Sequence, residues 1–233
     1  MSLSIKGVAL HHHKFGSSSI ISKILTKESG LKSFVIKGIR GKKPKTNIQL
    51  LHPLSILDLE VSDSKAGSLQ YVKEMRRTMP LKEIFNCMHK KFLSMYIAEV
   101  LLRVLVDSNE EKELYNFIKS KTIEIETSNK TNKNNALVFL LDLSNHLGFY
   151  PNVSNHQKKY FNLDLGEFSD QKSPYSISNK NKEYLCALIK DKTTNIPYDN
   201  RKELMVNLQQ YYKLHHYDIN NMKTQKVIES FRG

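Results

Sequence analysis

Residues 31–47 read LKSFVIKGIRGKKPKTN. Leu31 to Ile39 is rich in apolar and β-branched side chains, with Leu31, Phe34, Ile36 and Gly38 forming a partly regular alternation. That pattern predicts a strand. The next eight residues, RGKKPKTN, hold Arg40, Lys42, Lys43 and Lys45 beside a proline. They read as a basic loop. Gly38 and Gly41 mark a bulge or a close approach of backbone. A strand opening into a long cationic loop organises the reading of everything around it.

Upstream, residues 4–14 alternate imperfectly and end at the turn cluster Gly16-Ser17-Ser18-Ser19. Ile20 to Thr26 is β-branched and Glu28-Ser29-Gly30 turns the chain into the quoted strand. Downstream, His52-Pro53 breaks the chain before Leu54 to Val61, where Leu57, Leu59 and Val61 alternate with polar neighbours. Ala66-Gly67 turns again, and Leu69 to Met75 reads as a fifth strand. Five short strands joined by turns predict a small closed or partly open barrel. The long loop after the third strand is the pattern of an OB-fold.

Pro80 marks a change of period. Leu81 to Val106 repeats apolar residues at helical spacing, through Ile84, Phe85, Met88, Phe92, Met95 and Val100. Lys112–Glu126, Ala136–Leu147, Asn181–Lys190, Arg201–His215 and Met222–Phe231 are further helix candidates. Ala136–Leu147 (ALVFLLDLSNHL) is the most apolar and reads as the central buried helix, stopped by Gly148 at C′ with Pro151 beyond. Residues near 154–182 read as an irregular insert. The expected architecture is α+β: a five-stranded OB-fold barrel over residues 1–80, then an α-helical domain over 81–233. No internal repeat is visible.

The chain has 233 residues, 39% hydrophobic and 25% charged, which is globular composition. No apolar run reaches the ~20 residues that span a bilayer. The N-terminal stretch lacks a long apolar region and a small-residue cleavage site, so it reads as mature protein. Two isolated cysteines, Cys87 and Cys186, exclude a disulfide framework and a cysteine zinc site. A cytoplasmic location is expected. The formal net charge is +13, and residues 1–82 carry +10 of it, with 15 Lys/Arg against 5 Asp/Glu. A localised excess is the footprint of a polyanion partner, whose bound counterions are released as phosphates are neutralised. The competing reading is a solvated face kept for solubility.

Catalytic motifs are missing: there is no G-x-S-x-G, no Walker loop, no G-x-G-x-x-G and no H-E-x-x-H. His11-His12-His13 cannot all face one ion, because consecutive strand residues alternate faces. His215-His216 closes a helix, and His146 and His156 flank a Gly/Pro corner, so all read as structural. Asp142 inside the apolar helix calls for a hydrogen-bonded partner or an edge position. Glu99 with Arg103 is an i,i+4 ion pair. An enzyme is not expected, nor a cofactor or metal. The basic residues Lys14, Lys23, Lys37, Arg40, Lys42, Lys43, Lys45, Arg76 and Arg77 are the expected DNA contacts, with the few aromatics Phe15, Phe34 and Tyr71 among them as stacking candidates, Phe34 being equally a core candidate. Phosphate-dominated, sequence-tolerant binding is the expectation. The alternative is a non-catalytic scaffold whose basic face binds acidic proteins.

Several segments in order resemble one family. They are Gly7-Val8, Lys14-Phe15-Gly16 with Ser18-Ser19, Thr26-Lys27-Glu28-Ser29-Gly30, Phe34-Val35-Ile36-Lys37-Gly38, and His52-Pro53-Leu54. Phe92 to Leu101, Phe139-Leu140-Leu141, Leu147 to Pro151, and Tyr160-Phe161-Asn162-Leu163 with Gly166 and Phe168 continue the series. Together these resemble the RecO family of bacterial recombination mediators. The resemblance implies an N-terminal OB-fold and a helical C-terminal domain. It also implies binding of single- and double-stranded DNA, strand annealing, and assistance to RecA loading with RecR. Capture of the acidic tail of single-strand-binding protein is implied as well, and Arg103 is the residue offered for it. Many relatives carry a four-cysteine zinc site near positions 155–180. This chain has no cysteine there, so that metal does not carry over.

Overall fold

In a computed structural model, residues 2–39, 47–62, 69–105, 112–129, 132–177 and 179–230 are described. β1 (Ser2–Phe15), β2 (Ser19–Thr26), β3 (Gly30–Ile36), β4 (Ile56–Ser62) and β5 (Gln70–Arg77) close into a barrel of order β1-β2-β3-β5-β4. β1 closes it by pairing twice. Its first half runs antiparallel to β4 and its second half antiparallel to β2. The register shifts between Ala9 and His11, and Ala9 and Leu10 are both buried. A bulge of this kind advances the alternation by one residue, which is why residues 4–14 alternate imperfectly. β3 and β5 pair in parallel over three residues, Phe34 to Ile36 against Gln70 to Val72.

The barrel interior is aliphatic around one ring. Ala9, Ile20, Ile24, Phe34, Ile36, Leu57, Leu59 and Val61 fill it, with Ile39 and Leu51 from the β3–β4 connection. Gly7 is required by packing. A Cβ there would sit 2.4 Å from Ile24 Cγ2 and 3.3 Å from the Leu25 carbonyl. β3 stops before Ile39 because Gly38 takes φ 70°. His52 to Ser55 forms a turn closed by Ser55 N–H to the His52 carbonyl at 2.9 Å. Leu54 occupies its third position at φ 68°, a place that normally takes Gly. The Leu54 side chain is fully buried and its N–H donates to the Ala9 carbonyl at 2.8 Å, which holds the strained residue in place.

The expected helix over 81–106 is two helices, α1 (Lys82–Asn86) and α2 (Met88–Val104), with Cys87 extended between them. The start of α1 is fixed by a long-range cap. The buried carboxylate of Glu126, on α3 (Lys112–Thr127), accepts from the N–H groups of Glu83 at 2.9 Å and Ile84 at 3.0 Å. It satisfies two donors of the first turn of α1 and favours the helix start electrostatically. The chain folds as two compact units, residues 1–129 with 227–233, and residues 130–226. The change from strand to helix near residue 80 therefore falls inside the first unit.

In the second unit α4 (Asn135–His146) is the buried central helix. It ends as the sequence suggests. Gly148 takes φ 84°, its N–H donates to the Asn145 carbonyl at 3.3 Å, and the Phe149 N–H donates to the Ser144 carbonyl at 3.0 Å. This is the Schellman pattern. The insert near 154–182 is more ordered than the sequence suggests. β6 (Tyr160–Asn162), β7 (Glu167–Ser169) and β8 (Ser176–Ile177) form a sheet of order β7-β6-β8. Strands this short carry too little alternation to be read in sequence. α5 (Asn179–Lys190), α6 (Tyr198–Leu214) and α7 (Lys223–Ser230) complete the chain. Tyr211 and Tyr212 on α6 are buried, and their hydroxyls donate to the carbonyls of Phe149 and, at 2.6 Å, Leu140.

Candidate nucleic-acid interface

The β-ladder sorts charge by strand. β1, β2 and β3 contain no carboxylate, whereas β4 carries Asp58 and Glu60 and β5 carries Glu74. Registers then place the neighbours. Lys23 on β2 lies opposite His11 on β1 and Ser33 on β3. Its sequence neighbours Ser22 and Ile24 are fully buried, so Lys23 points outward, as do His11 and His13. His12 pairs with buried Ser22 and is turned inward. Burial holds the His12 imidazole below its ordinary pKa, opposed by a hydrogen bond with Leu51.

One aromatic feature stands on this wall. Val35 lies in register with Tyr71 across the parallel β3–β5 seam. The Tyr71 ring is exposed, and Lys37 Nζ sits 4.1 Å from its centroid. A cation over a ring face is attracted by the ring quadrupole. The Tyr71 N–H donates to Ser62 Oγ at 3.0 Å, fixing this strand position. Lys14 and Phe15 are exposed at the end of β1. The outer wall thus presents Lys23 and Lys37 with exposed Phe15 and Tyr71, and Lys14 is exposed at the end of β1 on the opposite face of that strand.

Other expected residues are placed differently. Arg40, Lys42, Lys43 and Lys45 lie outside the described residues. Ile39 before them is buried in the core, and Ile48–Leu51 after them is a 3-10 helix. Asn47 caps that helix by accepting from the Gln49 N–H at 2.9 Å. Arg76 is drawn toward the acidic strand, with its Nε at 3.2 Å and Nη2 at 2.9 Å from Asp58 Oδ2. Arg77 donates to Ser55 Oγ at 3.2 Å and to the Gln49 carbonyl, and lies 5.4 Å from the Phe85 ring centroid. Burial lowers the pKa of its guanidinium, while Glu126 acts in the opposite sense. Arg77 therefore ties the 3-10 helix to the barrel. Phe34 is wholly within the core, so it offers no stacking face. Arg103 is 3.9 Å from Glu99, the i,i+4 pair read in the sequence. Asp142 finds its partner in Lys192 at 2.7 Å.

The Lys37–Tyr71 contact escaped the sequence reading, because which strand closes against β3 is not encoded locally. The Arg76–Asp58 bond escaped it because it needs the β4–β5 register. Among the described residues no three His, Cys, Asp or Glu side chains group to hold a metal ion, and no helix is long and apolar enough to cross a membrane.

Comparison with known proteins places the chain. Residues 1–80 match the family model described as recombination protein O N terminal, and residues 90–218 match recombination protein O C terminal. The chain is 27% identical over 233 residues to the DNA repair protein RecO of Azobacteroides pseudotrichonymphae, covering 97% of each. It is 25% identical over 240 residues to that of Christiangramia forsetii, covering 100% of each. It is 26% identical over 205 residues to that of Flavobacterium johnsoniae, covering 88% of this chain and 84% of that protein. With a closed five-stranded barrel, helices following it, and two family models matched in order, the chain belongs to the RecO family.

Proposed function

We propose that this chain is a DNA repair and recombination mediator that binds single- and double-stranded DNA on its barrel and anneals complementary strands. It acts by binding and makes or breaks no covalent bond. The observation that carries the reading is the carboxylate-free wall of β1, β2 and β3, with Lys23 and Lys37 outward beside the exposed Tyr71 ring and Lys14 exposed at the end of β1. Lysines there neutralise phosphates and lower the repulsion between two strands. Tyr71 offers a face on which a base can stack without regard to sequence. Arg40, Lys42, Lys43 and Lys45 follow Lys37 closely in the sequence and add to the positive charge of this part of the chain. By family membership, the proposal extends to assisting RecA loading with RecR and to capturing the single-strand-binding protein tail. Action in the cytoplasm is part of the same reading.

The test is a fluorescence strand-annealing assay with salt-dependent binding. Lys23→Glu with Lys37→Glu and Tyr71→Ala is expected to slow annealing by about tenfold. The log-log salt slope for single strands should become shallower by about 0.7 per lost contact. Reversal of Arg40, Lys42 and Lys43 together is expected to flatten the slope further. An unchanged rate and slope in both variants overturns the assignment. Failure of the wild-type chain to accelerate annealing favours a scaffold for acidic proteins instead.

A further inference from the structure

A second concentration of positive charge lies in the second unit, where residues 130–226 hold 14 Lys/Arg against 9 Asp/Glu. Residues 155–159 turn back against α5. The Lys158 N–H donates to the Asn155 carbonyl at 3.0 Å. Lys182, on α5, donates from Nζ to the carbonyls of Lys158 at 2.7 Å and His156 at 3.3 Å. Two turns along the same helix, Lys190 Nζ is 3.3 Å from His156 Nε2. Lys159 Nζ lies 5.3 Å from the Tyr160 ring centroid. Lys182 and Lys190 stand eight residues apart and both reach the same turn from one side of the helix. The turn and the helix thus bring together Lys158, Lys159, Lys182, Lys190 and His156.

The charges in this cluster are not balanced locally. Among the described residues none of the four lysines forms an ion pair, whereas Lys192 in the same unit pairs with Asp142. The nearby carboxylates are otherwise engaged or exposed. Asp170 accepts from the Lys159 backbone N–H at 3.2 Å, and Glu183 is exposed on α5. Like charges held beside one turn repel one another. A ligand that neutralises several at once is therefore favoured. Lys182 and Lys190 are separated by about 12 Å of helix rise. At about 3.4 Å per step, that spans three or four nucleotides of a strand. His156 and Tyr160 supply rings along the same stretch.

We propose that the 155–159 turn and the Lys182–Lys190 face of α5 form a second polyanion site, which takes the phosphate backbone of a nucleic-acid strand. The proposal rests on the reading of the chain as a DNA-binding mediator. Lys182 is a positioning residue, because its ammonium pins the turn. Lys158, Lys159 and Lys190 meet the phosphates.

The test uses the full chain and a labelled single-stranded oligonucleotide, titrated at several salt concentrations. The variant K158E/K159E/K190E leaves Lys182 in place. It is expected to bind about tenfold more weakly, with a salt slope shallower by about 2. The control K202E/K213E/K223E changes net charge equally and is expected to keep the wild-type slope. Thermal melting checks that both fold. If the charge reversals disturb folding, K158Q/K159Q/K190Q is expected to give a smaller loss of the same sign. Equal loss in test and control variants overturns the site, as does no loss in the test variant. Loss of binding to a polyglutamate peptide with oligonucleotide binding intact also overturns it, because the partner would then be acidic protein. If the wild-type chain binds no DNA, the proposed function itself falls. If the wild type binds and K158E/K159E/K190E binds equally, only this site falls.

Discussion

The two units are held by different kinds of contact. The barrel is closed by backbone ladders around an aliphatic interior with a single ring, Phe34. The second unit relies on polar tips of large side chains. Tyr212 reaches the Leu140 carbonyl and Tyr211 that of Phe149, while Phe149 stacks on His215 at 4.7 Å and meets Tyr212 edge-on at 5.0 Å. A barrel of this sort depends chiefly on volume and close approach, because its polar groups are already paired along the strands. A helical cluster of this sort depends on individual oxygen atoms, because each buried hydroxyl must find an acceptor.

The largest effect that sharpens this contrast is on the barrel interior. Phe34→Ala is expected to cost about 3–5 kcal/mol in denaturant unfolding, since the residue is wholly buried. Gly7→Ala should cost about 1–3 kcal/mol, because the added methyl meets Ile24 and the Leu25 carbonyl. Tyr212→Phe removes one oxygen from the second unit and leaves the buried Leu140 carbonyl without that donor. It is expected to cost about 1–3 kcal/mol. A neutral Tyr212→Phe breaks the contrast, because the cluster would then depend on volume as the barrel does. Arg76→Ala should change stability by no more than about 1 kcal/mol, since its side chain is 81% exposed and its ion pair is screened.

The smallest effect is one of pH. Burial holds His52 in the first unit and His215 in the second below their ordinary value of 6.5. For His52, the hydrogen bond with Pro53 opposes that shift, and Lys91 and Arg77 reinforce it. The folded state therefore favours neutral imidazoles, while the unfolded chain takes up protons first as pH falls. Their stabilising contribution is complete above about pH 6.5 and declines as pH drops toward the lowered folded values. Melting temperature should fall between pH 7.5 and 5.5, and His52→Gln should reduce that fall. An equal fall in His52→Gln shows that other groups govern the acid limb.

Much of the barrel was legible in the sequence. All five strands lie where alternation and turn residues put them, because a half-buried strand must alternate and each turn needs Gly, Pro or Ser chemistry. The end of α4 was legible for the same reason, since few residues other than Gly take the φ of Gly148. The break at Cys87 was not, because helical spacing continues across it, and the cap at the start of α1 comes from Glu126, 43 residues beyond Glu83. The small sheet of β6, β7 and β8 was too short to show a period. In the candidate interface, the positions of the lysines were legible but their neighbours were not.

The sequence by itself determined that a basic, five-stranded β region precedes helices, and that the positive charge is concentrated in the first third. Both are local properties of composition and period. Only the tertiary structure decided which of those charges face outward together. Closure of β5 onto β3 brings Lys37 over Tyr71, and the β4–β5 register draws Arg76 to Asp58. Strand registers join residues distant in sequence, and no local pattern specifies the partner across a ladder.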